Sequence, residues 1–451
     1  MEKKKMIKIA VVVLIIIGIA SAFIWLDYIP IERGSCGDNL KWSINSKGYV
    51  TVSGTGELKD TGETNRWWKQ DIEATSLKIK EGITAIGDNA FDSWESLESI
   101  KLPSTLKSIG RQAFSKCKKL KHIDIPEGVE YIGEYAFEDC ISLQDIKIPK
   151  SVTKMQRNTF EGCLLLLPVN VDEMNDSFAS KGGLLYNKDM TALISCPYLF
   201  IEVDIPEGVK QIQDEAFLGN SLLEKVKLPE GLTSIGSSAF ENCGFLSSIN
   251  IPSSVNDIGE RAFNKCDKLT KIKIPEGITE IKAYTFAECS DLTEIVLPSS
   301  LLKINLCAFT GSSITSIFIP EKVWMVSSSA FYDCQLFSDI MVADNNMVLM
   351  SQDGVLYDKK MTELKICPYG KTGTFVIPDG VKKIGEEAFG PNLSRLEIPR
   401  SVDEISEFAF FGVSEATDFV VAVYKGSQAE EYFKNHKYSN SDNIKYEIIQ
   451  E

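Results

Sequence analysis

The sequence predicts a solenoid, a stack of short coils of about 23 residues each, and two recurring features support this prediction. A dipeptide ending in phenylalanine returns twelve times between Phe91 and Phe410, mostly at steps of 23 residues. A proline keeps step with it from Pro103 to Pro399. The length of 451 residues would also allow two or three ordinary domains, but a fixed period of this size is typical of a repeat array.

One unit, from Leu120 to Cys140, can be written L-x-x-I-x-I-P-x-x-V-x-x-I-G-x-x-A-F-x-x-C. Its I-x-I piece has period 2 and predicts a short strand with both isoleucines facing inward. Proline ends the strand, Glu-Gly gives a turn, and Gly133–Cys140 suits one helical or 3-10 turn. Because stacked coils bury a continuous core, the recurring phenylalanine is interpreted as structural.

This unit resembles the BspA-like leucine-rich repeats of surface proteins, over roughly residues 77 to 413. The resemblance implies a leucine-rich repeat solenoid of parallel strands, associated by analogy with adhesion to proteins, matrix or cells. The stretch Gly34–Asp60 resembles the small β module that often precedes such arrays. In that stretch, alternating apolar residues around Trp42 and around Val52 predict two strands that cap the first coil.

The chain divides into four predicted regions. Residues 1–27 form a cytoplasmic stub with a membrane segment, 28–76 the β module, 77–424 the array, and 425–451 a C-terminal cap. In the cap, Ser427–Asn435 is predicted as a helix and Lys445–Ile449 as a strand that closes the last coil.

Residues 9–26 are uncharged and follow several lysines, which predicts an N-terminal transmembrane segment with the rest of the chain outside the cell. Two outcomes stay open. The apolar run through Leu26 favours an uncleaved signal anchor, whereas Ala20–Ala22 offers a cleavage site that would make the protein secreted.

Two inserts, near residues 170–200 and 344–370, interrupt the period and match each other 171 residues apart. Each contains a Leu-Tyr segment, a turn and a strand ending in Cys-Pro-Tyr, which predicts a β-hairpin. The hairpin is either a variant coil of the array or a projecting finger that contacts a partner.

The residues that carry chemistry favour no active site. The eleven cysteines mostly occupy one repeated position, which favours buried thiols over disulfides. Only His122 and His436 are present, so neither a metal site nor a nucleophile with a histidine base is predicted, and no cofactor is predicted. A carboxylate-based hydrolase remains as an enzymatic alternative, but the acids occupy variable positions typical of a solvated face. A net charge of −15 excludes a nucleic-acid-binding surface.

The residue between the two inward isoleucines points outward in every coil, and its character changes along the chain. It is polar in six coils from Lys101 to Lys273 and then reads Val296, Phe318 and Met341. Trp324 and Met325 are expected to join this neighbourhood. Contiguous exposed apolar residues often mark an interaction site, so these five residues are the candidate partner-binding surface. The alternative is that the second insert folds over them.

The sequence therefore predicts a non-enzymatic cell-surface protein that presents an extended protein-interaction or adhesion surface to an unidentified protein or cell-surface ligand. The alternative is a structural spacer or envelope component without a specific ligand.

Overall fold

The computed structural model describes residues 30–37, 39–59, 73–156, 158–413, 419–435 and 444–450. The predicted membrane segment at residues 9–26 lies outside these ranges. Within them, no helix combines the length and apolar character needed to cross a membrane. The chain forms two compact units, the first comprising Met1–Asp189 with Pro197–Leu199 and the second Met190–Cys196 with Phe200–Glu451.

The first unit begins with the predicted β module. Its strands are β1 (Pro30–Gly37), β2 (Leu40–Asn45), β3 (Tyr49–Gly54) and β4 (Gly56–Leu58). Strands β2 and β3 are antiparallel, with Trp42 opposite Val52, and both side chains are buried. Val50 then pairs in parallel with Leu77 of the first coil. The module therefore pairs directly with the first coil.

The coils of the first unit contribute two columns of parallel strands. The strands are β5 (Ser76–Ile79), β6 (Ile83–Ile86), β7 (Ser99–Lys101), β8 (Ser108–Ile109), β9 (His122–Asp124), β10 (Tyr131–Ile132), β11 (Asp145–Ile148), β12 (Lys154–Met155) and β13 (Val169–Val171). Two further strands, β14 (Phe178–Lys181) and β15 (Leu184–Asn187), form an antiparallel pair. The odd-numbered strands β5 to β13 form the first column, which is the predicted I-x-I strand, and the even-numbered strands β4 to β12 form the second.

The second column was not predicted. In the coil of Leu120–Cys140, Ile123 and Ile125 point into the core as expected, and Val129 and Ile132 follow them. Tyr131 and Ile132 also pair with Ser108 and Ile109 of the preceding coil. Each coil therefore contributes two strands instead of one.

The third side of most coils is a series of turns, so the predicted helical or 3-10 conformation is wrong there. Gln112 and Lys116, on either side of Ala113-Phe114, have left-handed backbones with φ of 51° and 59°. Every second amide therefore points to the next coil, and the Phe114 N–H donates to the Ala136 carbonyl at 2.8 Å. A helix would keep these bonds within itself. Two short segments, Ser328–Phe331 and Phe411–Val413, do form 3-10 helices.

The core of each unit contains a column of stacked phenylalanines. In the first unit, Phe91, Phe114 and Phe137 stack with centroid distances of 5.3 and 5.7 Å and nearly parallel rings. Each of these rings is fully buried. Burial of a phenylalanine contributes about 1.5–3 kcal/mol, so these rings are structural, as predicted.

The second unit repeats the architecture with more coils. Its strands are β16 (Ala192–Ser195), β17 (Glu202–Asp204), β18 (Gln211–Ile212), β19 (Lys225–Lys227), β20 (Ser234–Ile235), β21 (Ser248–Ile249), β22 (Asp257–Ile258), β23 (Lys271–Lys273), β24 (Glu280–Ile281), β25 (Glu294–Val296), β26 (Lys303–Ile304), β27 (Ser316–Ile319), β28 (Met325–Val326), β29 (Asp339–Val342), β30 (Leu349–Gln352), β31 (Val355–Asp358), β32 (Glu363–Ile366), β33 (Gly373–Val376), β34 (Lys383–Ile384), β35 (Leu393–Ile398), β36 (Glu404–Ile405), β37 (Val420–Tyr424) and β38 (Lys445–Ile449).

The first column of this unit is split into four sheets, of which the second contains Val296 and the third contains Phe318 and Met341. The sheets are β17-β19-β21, β23-β25, β27-β29 and β33-β35-β37-β38.

The second insert contains the predicted hairpin, in which Tyr357 of β31 lies opposite Leu364 of β32. A further strand, β30, pairs with the other side of β31. Tyr357 is buried in the core, and Leu364 pairs in parallel with Ile384 of the next coil. The insert is therefore a variant coil and not a projecting finger.

The C-terminal cap contains the predicted helix, α1 (Gln428–Asn435), and the predicted strand β38. The Ser427 hydroxyl accepts a hydrogen bond from the Glu430 amide at 3.2 Å, which caps the helix. Strand β38 pairs with β37. Its Tyr446 and Ile448 stay exposed, although the matching Val421 and Val423 of β37 are buried.

Candidate interaction surface

The structure brings two of the five predicted surface residues together. Phe318 of β27 and Met341 of β29 lie side by side in register on adjacent parallel strands. Their neighbours in the strands, Ile317 and Ile340, point into the core. Alternation along the strand therefore turns Phe318 and Met341 outward, and they are 54% and 43% exposed.

Val296 occupies the same outward position one coil earlier and is 45% exposed. It belongs to the separate sheet β23-β25, where it pairs with Lys273. Val296, Phe318 and Met341 thus lie on three consecutive coils and are here called the apolar column. Lys273 occupies the same outward position one coil before Val296, so a positive charge borders the apolar column on that side.

Trp324 and Met325 do not extend the apolar column, so this part of the expectation is wrong. A turn in which the Val323 amide donates to the Pro320 carbonyl separates them from β27. Met325 lies in the second strand column, in register with Lys303. The Lys303 ammonium lies 5.3 Å from the centroid of the exposed Trp324 ring, a cation–π contact. These two residues therefore belong to a different side of the coil.

The second insert does not cover the apolar column. Phe318 and Met341 keep about half of their surface exposed in the presence of β30 to β32. The insert adds two exposed apolar residues of its own, Met347 and Val348. The alternative in which the insert folds over the column is therefore wrong.

One exposed apolar residue at the same strand position was missed. Val376 in β33, between Phe375 and Ile377, is 55% exposed. Its segment Phe-Val-Ile-Pro matches the I-x-I-P pattern, which is the signal that could have identified it. The second insert lies before this position, so Val376 does not follow Met341 at the 23-residue spacing.

The chain carries its own polar version of this surface. Strands β11 to β15 and β27 to β31 lie 171 residues apart, and we call them the first block (Asp145–Asn187) and the second block (Ser316–Asp358). The first block has Lys147 and Asn170 where the second has Phe318 and Met341. Lys147 forms a 3.0 Å ion pair with Asp172, and alanine, Ala343, replaces this aspartate in the second block.

A second feature of this unit is a polar pocket of about 250 Å³, lined by Val326, Ser328, Glu363, Lys365, Lys383, Gly385, Glu386 and Ser406. The Lys365 ammonium lies 2.6 Å from the Glu363 carboxylate, and Lys383 is paired with Glu404. Its two ammonium groups are therefore compensated by neighbouring carboxylates.

The predicted thiol column is buried, and each thiol has a specific hydrogen bond. The Cys140 Sγ donates to the Phe114 carbonyl at 3.2 Å, and the Cys266 Sγ donates to the Phe240 carbonyl at 3.2 Å. Burial raises the pKa of Cys289 to about 12 and that of Cys334 to about 11. Cys289 and Cys334 therefore keep their protons at neutral pH, and the thiols of the column lie in the interior, where their role is structural.

The remaining chemical candidates are on the surface. His122 is exposed, as expected for its strand position, and its Nδ1 lies 3.0 Å from an Asp145 carboxylate oxygen. Among the described residues, no three His, Cys, Asp or Glu side chains are grouped closely enough to hold a metal ion.

Comparison with known sequences identifies a family of leucine-rich repeats. The family described as "BspA type Leucine rich repeat region (6 copies)" matches residues 65–181, 192–289, 257–372 and 368–450. No curated protein matches the chain.

Several solved structures are similar to the chain. A leucine-rich repeat protein from Eubacterium ventriosum is 24% identical with a TM-score of 0.57, and the match covers 67% of this chain and 94% of that one. A leucine rich cell surface protein from Faecalibacterium prausnitzii is 26% identical with a TM-score of 0.44, covering 70% and 96%. A leucine-rich repeat protein from Bacteroides ovatus is 22% identical with a TM-score of 0.43, covering 92% and 99%.

The first of these similarities supports the solenoid fold. The sequence family matches well over half of the chain and rests on the repeat described above. The chain belongs to the BspA-type leucine-rich repeat family.

Proposed function

We propose that the protein is a non-enzymatic cell-surface repeat protein that binds a protein or cell-surface ligand through the apolar column. The repeated scaffold supports this role because it holds outward side chains on rigid, closely spaced strands. Apolar side chains exposed in a row on such a scaffold are typical of interaction sites.

The difference between the two blocks is the observation that carries the proposal. The same strand positions hold Lys147 and Asn170 in the first block and Phe318 and Met341 in the second. The first block shows that the fold needs no apolar residue at these positions. Exposed Phe318 and Met341 therefore call for an explanation other than folding, and binding of a partner provides one.

The proposed location is the outer face of the membrane, with residues 9–26 as the anchor and the array outside. Protease treatment of intact cells that express the full chain tests this. Digestion of a membrane-bound protein that retains Met1 would support the anchor, whereas recovery of a shortened chain in the medium would support secretion.

A structural spacer remains the alternative. Ion pairs between successive coils, such as the 3.1 Å contact between Lys268 and Asp291, and the stacked phenylalanines favour a stiff array that needs no ligand. A spacer would have no need for the apolar column, and this is where the two functions differ.

The test uses a double variant, Phe318→Lys with Met341→Asn, which places the residues of the first block on the second. Binding of the labelled full chain to intact cells and to immobilised matrix proteins is measured beside Lys147→Ala with Asn170→Ala. Under the proposal, the first pair lowers binding at least tenfold with little change in unfolding, and the control pair leaves binding unchanged. Equal binding by all three proteins would favour the spacer.

A further inference from the structure

We propose that the ligand of the apolar column is an amphipathic α-helix with a basic flank, lying along the direction in which the coils stack. This inference rests on the binding function proposed above. It follows from the spacing of the column and from the charges beside it.

The spacing of the apolar column fits a helix. In the coils that carry Val296 and Phe318, the buried rings of the stacked column are Phe309 and Phe331, 13 residues later in each case. Their ring centroids are 5.6 Å apart, and Phe318 and Met341 lie on adjacent paired strands, which are spaced by about 4.7–4.9 Å. One turn of an α-helix rises about 5.4 Å, so apolar residues on successive turns stay within about 1 Å of the column over its length.

An extended strand fits the column less well. Side chains on one face of a strand recur every 6.6 Å or so, and after two steps they are displaced from the column by about 3 Å. Apolar groups at positions i, i+3 or i+4, and i+7 of a helix therefore match Val296, Phe318 and Met341 better than alternating groups of a strand.

The charges beside the apolar column indicate which charge the ligand helix carries next to its apolar stripe. Two residues before each member, on the same face of β25, β27 and β29, lie Glu294, Ser316 and Asp339. The apolar column thus runs beside a second outward column with a carboxylate at its first and third positions. A helix with Lys or Arg next to its apolar stripe would meet these carboxylates, and an acidic flank would be repelled.

The experiment selects random linear 18-residue peptides on the full chain, with counter-selection on Phe318→Lys with Met341→Asn. The proposal expects enriched peptides with apolar residues at helical spacing and an excess of Lys and Arg. These peptides should gain helical circular dichroism on binding and lose at least tenfold in affinity for the counter-selected variant. The variant Glu294→Gln with Asp339→Asn should lower their affinity several-fold.

Other outcomes would overturn the inference. Enriched peptides with alternating apolar residues, acidic flanks, or no response to Glu294→Gln with Asp339→Asn would contradict a basic helix and leave the binding surface in place. Peptides that bind the counter-selected variant equally well, or failure to enrich any peptide, would contradict both the helix and the proposed binding site.

Discussion

The thiol of Cys266 donates a hydrogen bond to the carbonyl oxygen of Phe240, 26 residues earlier in the chain, at 3.2 Å. The same contact joins Cys243 to Phe217 and Cys289 to Phe263, with distances of 3.2 and 3.1 Å. The cysteine at the end of one coil therefore satisfies a backbone carbonyl of the coil before it. A small buried side chain that can donate a hydrogen bond suits this position.

Thiol accessibility follows from this arrangement. Ten of the eleven cysteines are buried, and Cys307 is half-buried. We expect about one thiol per native chain to react with an aromatic disulfide reagent at pH 8, and all eleven to react after unfolding without reductant. Fewer than eleven after unfolding would contradict the account, because it would indicate disulfides. Loss of the native reaction in Cys307→Ser identifies the reactive group.

Stability is expected to fall at alkaline pH. Burial raises the pKa of Cys334 from about 9 to about 11, so the folded chain keeps this proton at a pH where the unfolded chain releases it. The contribution is constant below pH 9 and is lost between about pH 9 and 11, by roughly 1 kcal/mol at pH 10. Urea unfolding from pH 8 to 10.5 measures it, and Cys334→Ala should show a shallower decline than the parent. An equal decline would contradict the assignment.

The left-handed turns predict an unusual tolerance of glycine. Lys265 has φ of 58°, where a side chain costs about 1 kcal/mol, and Gly162, Gly219 and Gly311 occupy the same position in other coils. Lys265→Gly should leave the free energy of unfolding unchanged or raise it by up to about 1 kcal/mol. The control Glu431→Gly, in helix α1, should lower it by about 1 kcal/mol. Equal losses would favour the helical conformation that the structure excludes.

The second insert depends on a buried amide. The Asn346 side chain donates to the carbonyls of Pro320 and Val323 at 3.0 and 2.8 Å and accepts from the amides of Val348 and Leu349. Asn346→Ala leaves these groups without partners and should cost at least about 1–3 kcal/mol in chemical denaturation. The exposed neighbour variant Asn345→Ala should change the free energy of unfolding by less than about 0.5 kcal/mol. A similar small loss in both would show that the insert folds independently of this amide.

Much of the fold followed from the period of the sequence. Residues such as Ile123, Phe137 and Cys140 recur at fixed spacing, and a stacked array places each recurring apolar group inward. The strand Tyr131–Ile132 was missed because two residues are too few for a period-2 pattern. The turns were mistaken for helices because Gln112 and Tyr135 give little sign of their positive φ.

The candidate surface was only partly predictable for a related reason. Phe318 and Met341 follow from strand alternation, which fixes the direction of each side chain relative to its neighbours. Trp324 was assigned to the wrong side because distance along the sequence does not indicate how the intervening turn redirects the chain. Val376 was missed because the insert shifts the count of residues between coils.

Site-specific photo-cross-linking on intact cells shows whether a partner contacts the apolar column. A benzophenone amino acid is placed at position 318 of the full chain, and in a matched protein at position 147, its counterpart in the first block. If the apolar column is the binding site, we expect a cross-linked partner at position 318 that is lost with Met341→Asn, and none at position 147. No adduct at 318, or the same adduct at both positions, would contradict the claim that the apolar column is the binding site.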